Sequence, residues 1–270
     1  MELTEQQIKE YLERIANILM LNGGFMDSPG LYSGEMGVAL FFFHYADFTQ
    51  NEVYSEYGIV LLEGIQEKIS QDTPVGYHHG LTGMGSTIEY LVQYGFIEAD
   101  TDDILEDFDE WIFSIEKLSN LSFDDLLDVA NYAYWRLSGD SNKKDIIYKT
   151  VLPQVVHLME SKNATHPAVI YYLEVISLDY YYASDNYSAI SARRLFCCIH
   201  SPCYLKPDMY IRLLERFSQS ESLASNNFEL GVQDGLAGLG LYLITELDGE
   251  YGWVSLFPNA LCTCTERIQV

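Results

Sequence analysis

Basic residues are scarce in this 270-residue sequence. Lysine and arginine together number 15 against 40 aspartates and glutamates, so the formal net charge at pH 7 is −25. So large a negative charge repels nucleic acids and anionic membranes and attracts cationic peptides or proteins. We therefore expect a peptide or protein as the partner, with a cationic one favoured, and no binding of nucleic acid or membranes.

Targeting and membrane-spanning features are also missing. The N-terminal stretch MELTEQQIKEYLERIANILM has neither the basic start nor the apolar run of a signal peptide or a membrane span. We therefore expect a cytoplasmic protein.

Cysteine is absent from the chain before residue 197. The five cysteines are Cys197, Cys198, Cys203, Cys262 and Cys264. An odd number so late in the chain does not resemble the disulfide framework of a secreted domain.

Alternation typical of β-strands is hard to find, whereas helical periodicity recurs along the chain. Thr4 and Gln7 have the spacing of a capping box before an amphipathic helix over residues 4–20. Polar-faced helices are predicted at 52–69, 102–118, 143–161 and 206–218, and more apolar ones at 35–48, 84–94, 123–137, 167–177, 188–199 and 236–247. The pattern predicts an all-α protein in which outer, charged helices pair with inner, apolar ones, as in a helical solenoid or a closed toroid.

One motif is repeated at the start of three apolar helices. The copies are SGEMGVALFFF (33–43), HGLTGMGSTIEYL (79–91) and DGLAGLGLYLI (234–244), and the first two lie 46 residues apart. The Gly-x-x-Gly in each copy would let backbones approach closely and would leave the first N–H groups of the helix exposed toward the centre of a ring. A dinucleotide-binding fingerprint is excluded because no strand precedes the glycines.

With these helix starts, the sequence resembles the lanthionine synthetase C-like family. Members of that family are α/α toroids, in which inner and outer rings of helices surround a central cavity. The resemblance implies one α/α toroid (barrel) domain over residues 1–270, with inner helices opened by Gly-x-x-Gly motifs. About six helix pairs can be counted, one of them compressed around 178–200, where the family usually has seven.

The resemblance also implies where a zinc ion would be bound. Family cyclases hold zinc with a Cys at one inner-helix start and a Cys-His pair at the next, and the metal-bound substrate thiolate adds to a dehydrated Ser or Thr. The matching positions fall near Asn163 and near Asp185 and Asn186. The acidic residue that active members carry before the second motif copy is also missing, since residues 75–77 read Val-Gly-Tyr. We therefore expect neither zinc nor another cofactor.

A displaced zinc site is the alternative. The segment FCCIHSPC offers the ligand types of Cys197, Cys198, His200 and Cys203. Their spacing matches no common zinc knuckle, and we favour ordinary packing of these cysteines in the core over a zinc site.

Five residues are candidates for a binding site in the cavity. His78 and His79 stand before an inner-helix glycine, where a histidine could act as a base, bind an anion or simply pack. Asp234, at the same place in the last copy, is predicted to be the N-cap of its helix or else a cavity carboxylate. Tyr171 and Tyr172 belong to a tyrosine-rich stretch that favours peptide binding, with core packing as the alternative.

A further group of carboxylates stands at the start of the predicted helix 123–137. Asp124, Asp125 and Asp128 are predicted to be solvated capping residues, because negative charge complements a helix N-terminus.

Two classes of function remain open. The first is a peptide- or protein-binding accessory that has lost the zinc ligands, acting in ribosomal peptide modification. The second is an active enzyme, either a thioether-forming cyclase with a relocated zinc site or a carbohydrate-processing enzyme with paired carboxylates. The first is favoured because the glycine motifs preserve only the scaffold, and a fold alone does not establish a reaction.

Overall fold

The computed structural model describes residues 3–166, 169, 207–220, 228–250 and 252–257. In these ranges the regular structure is helical, and the β-structure consists of one isolated bridge between Glu229 and Gly235. The helices are α1 Glu5–Asn22, α2 Glu35–Thr49, α3 Glu52–Lys68, α4 Leu81–Gln93, α5 Thr101–Ile104, α6 Glu106–Ile112, α7 Ile115–Leu118, α8 Phe123–Ser138, α9 Lys144–Ile146, α10 Leu152–Asn163, α11 Pro207–Ser218 and α12 Leu236–Asp248. The all-α prediction is confirmed. Across the described ranges, no helix combines the length and apolarity needed to cross a membrane.

The predicted helix starts agree with the structure. The capping box of α1 is formed: the Gln7 amide donates to Thr4 Oγ1 at 3.3 Å, and the Thr4 amide donates to Gln7 Oε1 at 3.0 Å. The helices that follow the Gly-x-x-Gly copies begin at Glu35, Leu81 and Leu236, so two begin where predicted and the second begins before the predicted residue 84. The predicted helices 167–177 and 188–199, and the compressed pair around 178–200, lie outside the described residues.

Two of the predicted helices are interrupted. The prediction of one helix over 102–118 is wrong, because the chain leaves helical geometry at Leu105 and Phe113 and forms α5, α6 and α7 instead. The predicted helix 143–161 contains a π-helical segment at Ile147–Val151, which separates α9 from α10. Pro153 follows two residues after this segment, and in a regular α-helix its ring would clash with the carbonyl four residues earlier.

The described residues form two compact units. Unit 1 contains 3–74, 78–80, 207–220, 228–250 and 252–253, and unit 2 contains 75–77, 81–166, 169 and 254–257. The single domain expected over residues 1–270 stays a prediction.

In unit 1, α2 and α12 form the core. Both are buried on almost all sides, as expected for inner helices, and they pack against each other so closely that a side chain at Gly240 would overlap the ring of Phe41. The neighbouring α1 and α3 bury one face each; α3 buries only Gly58, Leu61 and Ile65. The prediction of outer helices that cover apolar inner ones is confirmed for this unit.

In unit 2, α8 packs between α4 and α10 and carries a fully buried arginine. Arg136 binds Glu89 of α4, donates to Asp102 Oδ1 at 2.6 Å and reaches Asp109 Oδ2 at 2.8 Å. Burial alone would lower the pKa of Arg136, but the bonds to Asp109 and Glu89 outweigh it and hold that pKa above its ordinary value. The cluster therefore joins α4, α5, α6 and α8 through one permanently charged side chain.

Candidate functional site

Each Gly-x-x-Gly copy is preceded by a short loop that folds back onto the start of its helix. We call residues 28–34, 74–80 and 229–235 the motif loops. In the first and third loops, the first helical amide donates to the first loop carbonyl, from Glu35 to Ser28 at 3.0 Å and from Leu236 to Glu229 at 2.9 Å. In the second, the Thr82 amide donates to Val75 at 3.1 Å.

These bonds correct one expectation. The first N–H groups of the inner helices were expected to be exposed, but those of Glu35, Met36, Leu236 and Ala237 donate to loop carbonyls seven residues earlier. The loop satisfies the amides that a helix start leaves without partners. The helix starts of unit 1 therefore do not offer these amides to an anion.

The second glycine of each Gly-x-x-Gly motif makes this loop possible. A Cβ atom there would overlap the carbonyl oxygen of the residue six positions earlier, which is backbone and cannot move aside. The pairs are Gly37 with Leu31, Gly83 with Tyr77, and Gly238 with Val232. The close backbone contact therefore requires glycine at this position of the motif, as predicted from the sequence.

The motif loops of unit 1 are bonded to one another at equivalent positions. The Gln233 amide donates to the Tyr32 carbonyl at 2.8 Å, and the Tyr32 amide donates to the His78 carbonyl at 3.1 Å. All three residues stand two positions before the first glycine of their copy. The last copy in the sequence therefore lies beside the first, and backbone bonds brace the three loop segments.

A further glycine allows this contact. A side chain at Gly30 would overlap the backbone of His79, and one at Gly231 would overlap the backbone of Ser33. Together with Gly76, these residues stand four positions before the first glycine of each copy, so the full repeat is Gly-x-x-x-Gly-x-x-Gly. The motif predicted from sequence contained the later glycines only, although the earlier glycine stands at the same spacing in all three copies.

The residue directly before the Gly-x-x-Gly motif is exposed in all three loops. It is occupied by Ser33, His79 and Asp234, which we call the exposed row. Ser33 Oγ lies 3.2 Å from His79 Nδ1. A hydroxyl, an imidazole and a carboxylate are therefore exposed on loops that backbone hydrogen bonds hold in place. Ser33 was not among the predicted site residues, because serine in a turn carries no signal of its own.

His78 has a different environment from His79. Its ring is half-buried and stacks on Tyr32, with the centroids 4.1 Å apart and the planes inclined by 22°. Burial, and then the neighbouring His79, lower the pKa of His78, which favours the neutral imidazole. The packing interpretation of His78 therefore has direct support.

Asp234 does not cap its helix. The N-cap of α12 is Gly235, whose backbone is extended, and Asp234 has a left-handed backbone with φ of 54°. Aspartate tolerates that conformation better than most residues. The N-cap prediction is wrong, and the exposed carboxylate instead lines a cavity of about 560 Å³ in unit 1, together with Arg212, Arg216 and Glu229 among others.

The carboxylates of α8 differ from one another. Asp125 completes a capping box with Ser122, as predicted for a capping residue. Asp128 is only partly exposed and accepts the Tyr77 amide at 2.8 Å, so the prediction of a solvated cap is wrong for it. Burial raises the pKa of Asp128 to about 7, the Tyr77 bond opposes the shift, and the charges of Asp125 and Asp124 add to it.

Exchange of Asp128 for asparagine is expected to stabilise the protein above neutral pH. Between pH 3.8 and about 7, the Asp128 carboxyl is protonated in the folded protein but ionised in the unfolded chain. Raising the pH across that range therefore lowers the free energy of unfolding through this group. Asparagine still accepts the Tyr77 amide and carries no charge. Urea unfolding should show a gain on the order of 1 kcal/mol at pH 8 and none near pH 4. Equal gains at both pH values, or the same gain from Asp124→Asn, would contradict this.

The remaining candidate residues lie outside the described ranges. They are Tyr171, Tyr172, Cys197, Cys198, His200 and Cys203, and also Asp185, Asn186, Cys262 and Cys264. Asn163, near the first expected zinc ligand, is the exposed last residue of α10, and its side-chain oxygen lies 3.2 Å from Thr165 Oγ1. Within the described ranges, no group of three or more His, Cys, Asp or Glu side chains is arranged to hold a metal ion.

The family comparison agrees with these features. The model of the family described as lanthionine synthetase C-like protein matches residues 26–172, which is more than half of the chain and includes the first two motif loops. The chain belongs to this family, whose members are α/α toroids, and its helical structure agrees with that fold. No curated protein and no solved structure matches significantly.

Proposed function

We propose that this family member is a peptide- or protein-binding accessory in ribosomal peptide modification and that it does not catalyse zinc-dependent cyclisation. The observation that carries the proposal is the exposed row. Ser33, His79 and Asp234 stand at the same position of three loops, and in unit 1 the backbone of the first loop is bonded to each of the other two.

Such an arrangement suits binding because its order exists before the partner arrives. The tight glycine contacts fix the backbone, so little conformational freedom is left to lose when a ligand docks. The row offers both hydrogen-bond donors and acceptors, which an extended peptide backbone can use. The net charge of −25 adds an attraction for basic segments.

Asn163, near the first expected zinc position, supports the absence of cyclase activity in this proposal. Zinc in such an enzyme would lower the pKa of a substrate thiol and present it as a nucleophile, which requires thiolate and imidazole ligands. Asn163 supplies a neutral amide that lies beside the Thr165 hydroxyl. The alternative of paired carboxylates for carbohydrate processing gains no support from Glu89, Asp102 and Asp109, because Arg136 binds all three.

A displayed library of random 12-residue peptides provides the binding test. Selected peptides should bind the native protein, and the triple variant Ser33→Ala/His79→Ala/Asp234→Asn should weaken them at least about tenfold, the effect of losing about 1.4 kcal/mol of contacts. Asparagine is chosen at 234 because it tolerates the left-handed backbone. The control Ser161→Ala/His157→Ala/Asp145→Asn changes the same residue types at exposed positions of unit 2. Equal binding by both variants would contradict the proposal.

The enzyme alternative has its own test. A peptide that carries dehydroalanine and one free cysteine should keep its thiol when incubated with the protein and zinc, as measured by maleimide labelling and mass spectrometry. Loss of the thiol that a chelator and the variant Cys197→Ser/Cys198→Ser both prevent would instead establish a cyclase with a relocated metal site.

A further inference from the structure

A second pocket of unit 1 lies away from the motif loops. It has a volume of about 530 Å³ and is formed where α2 ends, at the other end of that helix from its glycine motif. Its lining residues are Glu5, Lys9, Glu13, Tyr45, Phe48, Thr49, Tyr54 and Leu247. The pocket is therefore built from α1, the last turn of α2, the first turn of α3 and the last turn of α12.

Three aromatic rings form one wall of this pocket. Tyr45 is 4% exposed, and its ring centroid lies 4.6 Å from that of Tyr54 and 6.5 Å from that of Phe48. Phe48 and Tyr54 are only half-buried, so part of each ring remains accessible. Accessible aromatic rings at a carboxylate-bearing surface attract cations through their π-electrons, and a planar guanidinium can also stack on them.

The charges around the pocket are also suited to a cation. Lys9 is paired with Glu5, its Nζ 2.5 Å from Glu5 Oε1, whereas exposed Glu13 makes no ion pair with any other described residue. The C-terminal ends of α2 and α12, at Thr49 and Asp248, add negative helix-dipole ends.

Glu13 acts on the aromatic wall as well. Burial, then the interaction with Tyr54, then the charge of Glu13 raise the pKa of Tyr45, which keeps that phenol neutral. Glu13 and the three rings line the same pocket, so they can contact one ligand together. An anion would be repelled at this position, and a purely apolar ligand would bury the Glu13 carboxylate without a partner.

We propose that this pocket binds the guanidinium group of an arginine side chain in a basic peptide. The aromatic wall stacks against the guanidinium plane while Glu13 accepts its N–H groups. The site is separate from the exposed row, and the proposal does not depend on the function assigned to that row. A peptide that binds at both sites would gain affinity, because its second binding event would be intramolecular.

An NMR titration of the isotopically labelled full chain tests this proposal. N-acetyl-arginine amide should shift the amide signals of residues around 9–13, 45–54 and 247, with a dissociation constant in the millimolar range. N-acetyl-citrulline amide has nearly the same shape without the charge and should bind at least about fivefold more weakly, because a cation–π contact and a charge-assisted hydrogen bond are both lost. Higher salt should weaken the binding of the arginine probe.

Two variants and one control make the test specific. Glu13→Gln and Phe48→Leu should each weaken the binding of the arginine probe about threefold or more. Glu10→Gln removes the same charge from α1 outside the pocket and should leave binding unchanged. Equal binding of the citrulline probe, equal weakening by Glu10→Gln, or tighter binding of N-acetyl-lysine amide would each overturn the assignment. Circular dichroism of the variants checks that they are folded.

Discussion

Exchange of Arg136 for methionine is expected to lower the free energy of unfolding by about 3–5 kcal/mol. The side chain is fully buried and is the shared partner of Glu89, Asp102 and Asp109. Without it, these carboxylates lose their main cation, and Lys143, 3.4 Å from Asp109, is the described cation that remains beside them. Urea unfolding followed by circular dichroism measures the loss.

The control for this variant removes an ion pair from the surface of the same unit. Lys149→Met breaks a pair with Asp145 in which the side chains are 66% and 85% exposed. Exposed pairs of this kind contribute about 0.5 kcal/mol or less. A drop of similar size in both variants would show that the Arg136 cluster is not the special feature that its burial indicates. Arg136→Lys keeps the charge but not the planar fork, and should fall between the two.

Exchange of Gly83 for alanine is expected to destabilise the protein by more than about 3 kcal/mol or to prevent folding altogether. The new methyl group would overlap the carbonyl oxygen of Tyr77, and this contact can be relieved only by moving the motif loop off the start of α4. Loss of the loop would also break the bond between the Thr82 amide and the Val75 carbonyl. Large effects of single substitutions arise from strain of this kind.

Gly64→Ala is the matched control. Gly64 lies within α3, and no heavy atom is found within 4 Å of the place where its Cβ would stand. Alanine there should stabilise the helix by about 0.5–1 kcal/mol, because it restricts the unfolded chain and has the higher helix propensity. Thermal unfolding of both variants should therefore show shifts of opposite sign. A fully folded Gly83→Ala protein with native stability would contradict the structural role of the motif.

The helix starts could be predicted from sequence because their signals are local. Thr4 and Gln7 are three residues apart, and the glycines of each motif copy are adjacent to the helix that they open. The interruption of 102–118 could not be predicted in the same way. Asp102 and Asp109 point to Arg136, which is far along the chain, and no periodicity reports a partner at that distance.

Local sequence signals also predicted part of the candidate site. His79 and Asp234 were selected from their positions before glycines, and the structure finds both exposed. The bonds that bring their loops together join residues 32, 78 and 233, and they could be known only from the fold. The aromatic pocket was missed because its walls come from four helices, and no local pattern within any one of them indicates a shared pocket.

The contact between α2 and α12 has a consequence for how the protein is made. Ribosomal synthesis releases α1 and α2 early, but the helix that covers them is almost 200 residues further along the chain. Until that helix emerges, the apolar surface around Phe41 has no cover and is open to aggregation or chaperone binding. A fragment that ends at residue 172, where the family match stops, should therefore be poorly soluble even though it contains two of the three motif loops.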